Sequence, residues 1–227
     1  MIFFLLFLIF LFPFLFLIFL LPLGYLIYGL LNILTVPLQI IEIATNKNLR
    51  KNHALEHATI NVIEKEIGRK GVLSGYAREN GFYVFGPIDP HIVFEASEIG
   101  REKLLNGEED YAIHDRCGTS IGVASFLTII IFIILIILSS SLNLFLLILA
   151  ILLGQILGPP LGKIVQKYFT VDTDVKDIRI VDVEYNPTNI YGPFGIIYPT
   201  RPSSFFVRTE RVKEFKFIWE IFFHLLE

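Results

Sequence analysis

Two histidines and a glutamate with the spacing H-x-x-E-H stand at residues 53–57 of the chain. On an α-helix, residues four apart lie on one face, so His53 and His57 can offer both imidazoles to a single metal ion. Glu56 lies on the same side, where its carboxylate could accept a proton from metal-bound water. The spacing is typical of the inverted zinc-hydrolase motif, and it predicts Zn²⁺ as cofactor and Glu56 as the catalytic residue.

A third metal ligand is predicted in the segment at residues 112–119, which contains His114 and Cys117. Both residue types are good zinc ligands, and we favour His114 over Cys117 for this position. If both bound the ion together with His53 and His57, they would close a four-ligand structural site and leave no position for water. His91 is interpreted as a surface histidine.

The H-x-x-E-H residues also fit a site without a metal. Their helical spacing continues into an apolar stripe of Ile60, Ile63 and Ile67, so the histidines and the glutamate should point into the protein. A buried carboxylate needs a partner, because an unpaired buried charge is costly. In this alternative, Glu56 pairs with Arg50, Arg116 or a histidine.

Residues 44–118 are predicted to form a small α+β soluble domain with the element order α-β-β-α-β. This domain would position the H-x-x-E-H residues, His114 and Cys117. A first helix carries the motif from residue 46 or 48 to about residue 67. Strands at 72–77 and 82–85 flank Asn80-Gly81, which predicts a type I′ hairpin turn. Asp89 and Pro90 begin a second helix, and residues 111–114 are interpreted as a short strand.

Two long apolar blocks surround this domain. The chain is 54% hydrophobic, and residues 1–41 and 119–162 contain no Asp, Glu, Lys or Arg. A helical crossing needs about 20 residues, so each block is long enough for two. We therefore predict an α-helical integral membrane protein with two transmembrane hairpins, at 1–43 and 119–162, and about four helices. The first hairpin is expected to turn near residues 22–24, with one long tilted or re-entrant element as the alternative.

The distribution of charge predicts the location of the soluble regions. All 19 Lys and Arg residues fall at 47–116 and 163–216. Because hairpins return the chain to the same side, both charged regions should lie in the cytoplasm by the positive-inside rule. We predict a multi-pass protein of the cell membrane whose partner is the lipid bilayer. No basic patch of the kind that binds nucleic acid is found.

Residues 163–227 are predicted to form a C-terminal β-rich region that ends in an amphipathic helix. Strands are expected at 177–185 and 205–212. The helix, at about 213–226, carries charged residues on one face and aromatic residues on the other. Such a helix can lie in the membrane interface or dock on its own domain, and we favour the interface.

Three short segments carry a family resemblance. They read HALEHAT at 53–59, GFY at 81–83 and H-x-x-C-G-T at 114–119. In this order before a transmembrane pair, they resemble a family of uncharacterised prokaryotic membrane proteins over roughly residues 50–165. The resemblance implies a membrane location and this domain order, and no particular activity. The chain is similar to zinc peptidases of the inverted-motif class only at His53, Glu56 and His57.

Two functions therefore fit the sequence. In one, the chain is a membrane protein of undefined role, with a His/Glu/Cys polar or metal-binding cluster at the membrane face. In the other, it is a membrane-anchored zinc-dependent hydrolase of the peptidase type. The two differ in whether the metal keeps an open coordination position for water.

Overall fold

The computed structural model of the chain describes residues 2–141, 143–185, 189–191, 197–199 and 204–212. The helices are α1 (Ile2–Thr45), α2 (Lys47–Glu66), α3 (Pro90–Leu105), α4 (Gly118–Ser139) and α5 (Leu144–Val165). The strands are β1 (Ser74–Arg78), β2 (Gly81–Phe85), β3 (Ile178–Tyr185), β4 (Asn189–Tyr191), β5 (Ile197–Pro199) and β6 (Ser204–Arg211). The chain divides into two compact units, the first formed by residues up to Glu42 with Gly118–Gln166, the second by Ile43–Cys117 with Lys167 onward.

Three helical segments in the described ranges are long and apolar enough to cross a membrane. They are Ile27–Thr45, Gly118–Ser139 and Leu144–Thr170. Their length and composition agree with the prediction of a membrane protein. The last segment continues beyond α5 as a π-helical turn at Gln166–Thr170.

The predicted hairpin in the first apolar block is not found. Residues 22–24 are helical, and α1 continues without a turn from Ile2 to Thr45. A proline removes one backbone donor and can bend a helix without ending it. The helix continues through Pro22 in the same way.

Helices α4 and α5 pack closely through three glycines of α5. A Cβ atom added at Gly158 would lie 2.7 Å from Cα of Ala124, and one added at Gly162 would lie 2.7 Å from Cα of Ser120. Gly154 approaches Thr128 in the same way. Glycines four apart on a helix allow this close approach, because they leave no side chain between the two backbones. The helix continues through Pro159 and Pro160.

The second unit joins two parts of the chain that were predicted to be separate soluble regions. Its four-stranded antiparallel sheet has the strand order β1-β2-β6-β3, so β6 pairs with β2 on one side and with β3 on the other. The domain therefore needs residues from both sides of the α4–α5 pair. Strands β4 and β5 form a separate two-stranded sheet.

Two local predictions within this unit are corrected. The β1–β2 hairpin turns at Glu79-Asn80, because Arg78 pairs with Gly81 across the sheet. Asn80-Gly81 is thus not the centre of the turn, and Gly81 belongs to β2. Residues Glu109–Ala112 form a 3₁₀ helix in place of the start of a strand. Short apolar segments are ambiguous between helix and strand in sequence alone.

Helices α2 and α3 cover one face of the four-stranded sheet. Alternate residues of β2 and β6 point toward the helices, and Phe82, Val84, Phe205 and Val207 are all fully buried. The two helices approach closely at Gly100, where an added Cβ would lie 3.1 Å from Cβ of Ala58. This core holds α2 at the centre of the unit. The predicted amphipathic helix at 213–226 lies outside the described residues.

Candidate metal centre

Helix α2 carries the H-x-x-E-H residues into the interior of the second unit. The side chain of Asn46 caps the helix by accepting a hydrogen bond from the backbone N–H of Leu49 at 3.1 Å. Residues 51–60 are all buried, although they include polar and charged side chains. The sequence predicted one buried stripe, and the structure buries the whole circumference of the helix over this stretch.

The His53 ring is held between the main chain and a thiol. Its Nδ1 lies 2.9 Å from the carbonyl oxygen of Thr170. Since a carbonyl can only accept, Nδ1 must carry the proton and donate it. In the neutral ring, the lone pair is then on Nε2, which lies 3.2 Å from Sγ of Cys117.

The His57 ring is fixed in the same way by a second carbonyl. Its Nδ1 donates to the backbone oxygen of Ala112 at 2.6 Å, which again places the lone pair of the neutral ring on Nε2. That Nε2 atom is buried, and the His57 side chain interacts with Cys117. The His53 and His57 rings lie with their centroids 4.3 Å apart. Hydrogen bonds from a ring N–H to a backbone carbonyl, of the kind that His53 and His57 make, orient the histidine ligands in metal sites.

Cys117 completes a group of three converging ligand atoms. Ligand atoms of His53, His57 and Cys117 all lie within 4.8 Å of one another, and all three side chains are buried. Zinc bond lengths of about 2.1 Å to nitrogen and 2.3 Å to sulfur place such atoms roughly 3.6 Å apart in a tetrahedral site. The 3.2 Å between Nε2 of His53 and Sγ of Cys117 lies within a few tenths of an ångström of that spacing.

His114, the ligand favoured from the sequence, is not in this group and faces a carboxylate. Its Nε2 lies 3.6 Å from Oε2 of Glu64, and both residues are buried. Oε1 of Glu64 also accepts hydrogen bonds from the backbone N–H groups of Gly71, Val72 and Leu73. His91 is exposed, as predicted.

Glu56 lies beside the three ligands and outside their group. Its side chain is 5% exposed, and no hydrogen bond to its carboxylate is found in the described part of the chain. The two arginines considered as partners bond elsewhere: Arg50 donates to the carbonyl of Val171, and Arg116 donates to that of Gly71. Neither of these two arginines therefore compensates the buried Glu56 carboxyl group.

The four buried groups change one another's protonation. Burial works against a charged His53, but its hydrogen bond and electrostatic attraction to Cys117 raise its pKa to about 9. Burial would also raise the pKa of Cys117, but the nearby His57 and the bond from His53 bring it well below its usual value. Burial raises the pKa of Glu56 to about 8 and lowers that of His57. Without a metal, a thiolate is thus stabilised between two imidazoles.

Several residues that support the site had no motif to identify them. Nδ2 of Asn61 donates to the carbonyls of Tyr111 and Ile113, and so fixes the segment containing the Ala112 carbonyl. Thr170 contributes only a backbone oxygen, which any residue could supply. A backbone carbonyl that accepts a hydrogen bond cannot be identified from a single sequence, because every residue has one. The polar residue Asn61 on a buried helix was the one feature of the sequence that could have indicated this support.

The chain matches a protein family over the region that contains the site. A family model described as "Domain of unknown function (DUF6391)" matches residues 48–183, which include His53, His57 and Cys117. An uncharacterized protein of Picosynechococcus sp. (strain ATCC 27264 / PCC 7002 / PR-6) is 38% identical over 88 residues, 35% of this chain. This match spans 43% of the relative's length. No solved structure matches the chain.

Proposed function

Because the chain belongs to the DUF6391 family, a domain of unknown function, we propose its role from its own site: it is a membrane protein that binds one zinc ion through His53, His57 and Cys117. The observation that carries the proposal is the convergence of these three ligand atoms. Two imidazole nitrogens and a thiolate are the donors that Zn²⁺ prefers, and each ring presents Nε2 because a carbonyl holds its Nδ1.

The proposed protein crosses the bilayer several times, with its soluble parts in the cytoplasm. The three membrane-length helices and the confinement of Lys and Arg to 47–116 and 163–216 support this arrangement. Cys117 directly precedes α4, and Thr170 ends the segment that begins with α5. These connections favour a metal centre close to the membrane surface.

The zinc content of the purified full-length chain in detergent tests the proposal. We expect one zinc per chain in the wild type, and little or none in His57→Ala and Cys117→Ser. His91→Ala is the matched control, because it removes an exposed histidine and should keep the metal. A wild type that remains metal-free after incubation with Zn²⁺ would refute the proposal.

The ligand positions also support a stabilising role for the ion. His53 and Cys117 are 64 residues apart in the chain, so a shared metal would link two distant segments of the unit. A ligand that binds only the folded state at 1,000 times its Kd stabilises it by about 4 kcal/mol. Chelation should therefore lower the melting temperature of the wild type and leave that of Cys117→Ser unchanged.

Hydrolysis is the second candidate function, and the position of Glu56 favours it. A site with three protein ligands leaves a position for water, as catalytic zinc sites do. A carboxylate next to that position can accept a proton from a water molecule that the metal polarises. Glu56 is buried beside the ligands and interacts electrostatically with His53 and Cys117.

A fluorogenic peptide library distinguishes the two candidates. If the zinc-loaded wild type cleaves a peptide and a zinc-loaded Glu56→Gln variant does not, hydrolysis is the function. If neither protein cleaves while both hold zinc, the metal has a structural role. The Gln variant keeps the size of the side chain, so its zinc content also tests whether Glu56 is needed for the fold.

A further inference from the structure

Gly75 of strand β1 lies directly against the side chain of Glu56. A Cβ atom added at Gly75 would lie 2.6 Å from both Cγ and Cδ of Glu56, and closer still to Oε1. Gly75 pairs with Val84 of β2, so the sheet fixes its backbone. A side chain at this position would have to push the Glu56 carboxylate aside.

The backbone of β1 does not itself require a glycine here. The φ angle of Gly75 is not positive, so an alanine could adopt the same backbone conformation. Ala77, two residues along on the same face of the strand, has a Cβ and is buried. Glycine in a strand costs stability and often marks the close approach of another group. The approaching group is the Glu56 side chain.

The Glu56 side chain is almost completely covered by protein at this position. It is 5% exposed, and its neighbours Leu55 and His57 are at most 1% exposed. The carboxylate interacts electrostatically with His53 and Cys117. A displaced Glu56 would therefore change the surroundings of the metal ligands.

We propose that Gly75 is a positioning residue that makes room for the Glu56 carboxylate beside His53, His57 and Cys117. The inference rests on the proposed metal function, and it applies to both roles considered for the ion. Gly75 acts only through Glu56, so its effect must disappear when Glu56 is absent.

Four full-length proteins in detergent test this dependence: the wild type, Gly75→Ala, Glu56→Ala and the double variant. Each is measured without metal for its melting temperature, and with Co²⁺ in place of zinc for its visible absorption spectrum. Gly75→Ala alone should lower the melting temperature by about 4–8 °C and shift the cobalt bands. In the Glu56→Ala background, the same substitution should change neither measurement.

Ser74→Ala is the matched control, since Ser74 is the exposed neighbour of Gly75 on β1. It should leave both measurements as in the wild type. An equal loss of melting temperature from Gly75→Ala in the two backgrounds would overturn the inference, as would an unchanged cobalt spectrum with Glu56 present. A wild type that binds no cobalt would refute the metal function, while the melting temperatures would still show whether Gly75 accommodates Glu56.

Discussion

Nε2 of His53 lies 3.2 Å from Sγ of Cys117, although the two residues are 64 positions apart in the chain. The first belongs to the buried helix α2, and the second ends the segment before α4. Their approach gives the H-x-x-E-H motif its third candidate ligand. The metal hypothesis therefore depends on Cys117 and not on His114, which lies against Glu64.

The identity of the third ligand can be tested with two variants of the 112–119 segment. We expect His114→Asn to retain one zinc per chain and Cys117→Ser to lose it, because only the Cys117 sulfur converges with the two imidazoles. Metal analysis of the purified proteins checks this. Zinc lost from His114→Asn and kept in Cys117→Ser would restore the ligand favoured from sequence.

Zinc affinity should depend on pH through His53. Its pKa of about 9 means that a proton occupies the ring below that pH, and zinc must displace it. The apparent affinity should therefore rise by roughly tenfold for each pH unit up to about pH 9. Competition with a fluorescent chelator at several pH values measures it. A flat profile over this range would mean that no ligand proton is displaced.

The ion pair between Lys51 and Asp177 should contribute strongly to stability. Lys51 is 1% exposed, and Asp177 also accepts a hydrogen bond from Arg211 at 3.0 Å. Asp177→Asn leaves a buried ammonium without a counter-charge and should lower the free energy of unfolding by about 3 kcal/mol. Chemical denaturation measures this, with the exposed Asp174→Asn as the control.

The same pair also predicts how stability depends on acid. Burial opposes ionisation of Asp177, but the bonds from Lys51 and Arg211 hold its pKa below the usual value. A lowered folded-state pKa stabilises the protein above the ordinary aspartate pKa of about 4, and this contribution is lost as the pH falls through the folded value. Asp177→Asn should therefore lose less stability than the wild type on acidification in that range.

The α4–α5 contact should not tolerate a side chain at Gly158. An added Cβ would lie 2.7 Å from Cα of Ala124, so Gly158→Val should separate the helices at a cost of about 1–3 kcal/mol. Thermal unfolding in detergent measures the loss. Gly24→Val is the control in α1, because no atom lies within 4 Å of a Cβ added there. Equal effects at the two positions would show that close packing is not the cause.

The sequence determined the features that depend on local spacing and on composition. Residues four apart on a helix share a face in any fold, so the proximity of His53 and His57 followed from their positions alone. Apolar stretches without charge likewise predicted the membrane-length helices, and the caps at Asn46 and Asp89 are present as expected. In α1, the same uniform composition offered no reliable place to predict a turn.

The tertiary structure decided which distant groups meet. His114 and Cys117 are three residues apart and equally suited to zinc, and only the path of the chain from α3 to α4 turns the sulfur toward the imidazoles and His114 toward Glu64. Pairing of β6 between β2 and β3 likewise joined two regions that are far apart in sequence. Long-range contacts of this kind depend on how whole helices and strands pack against one another. Residue types and their spacing in a single sequence do not specify that packing.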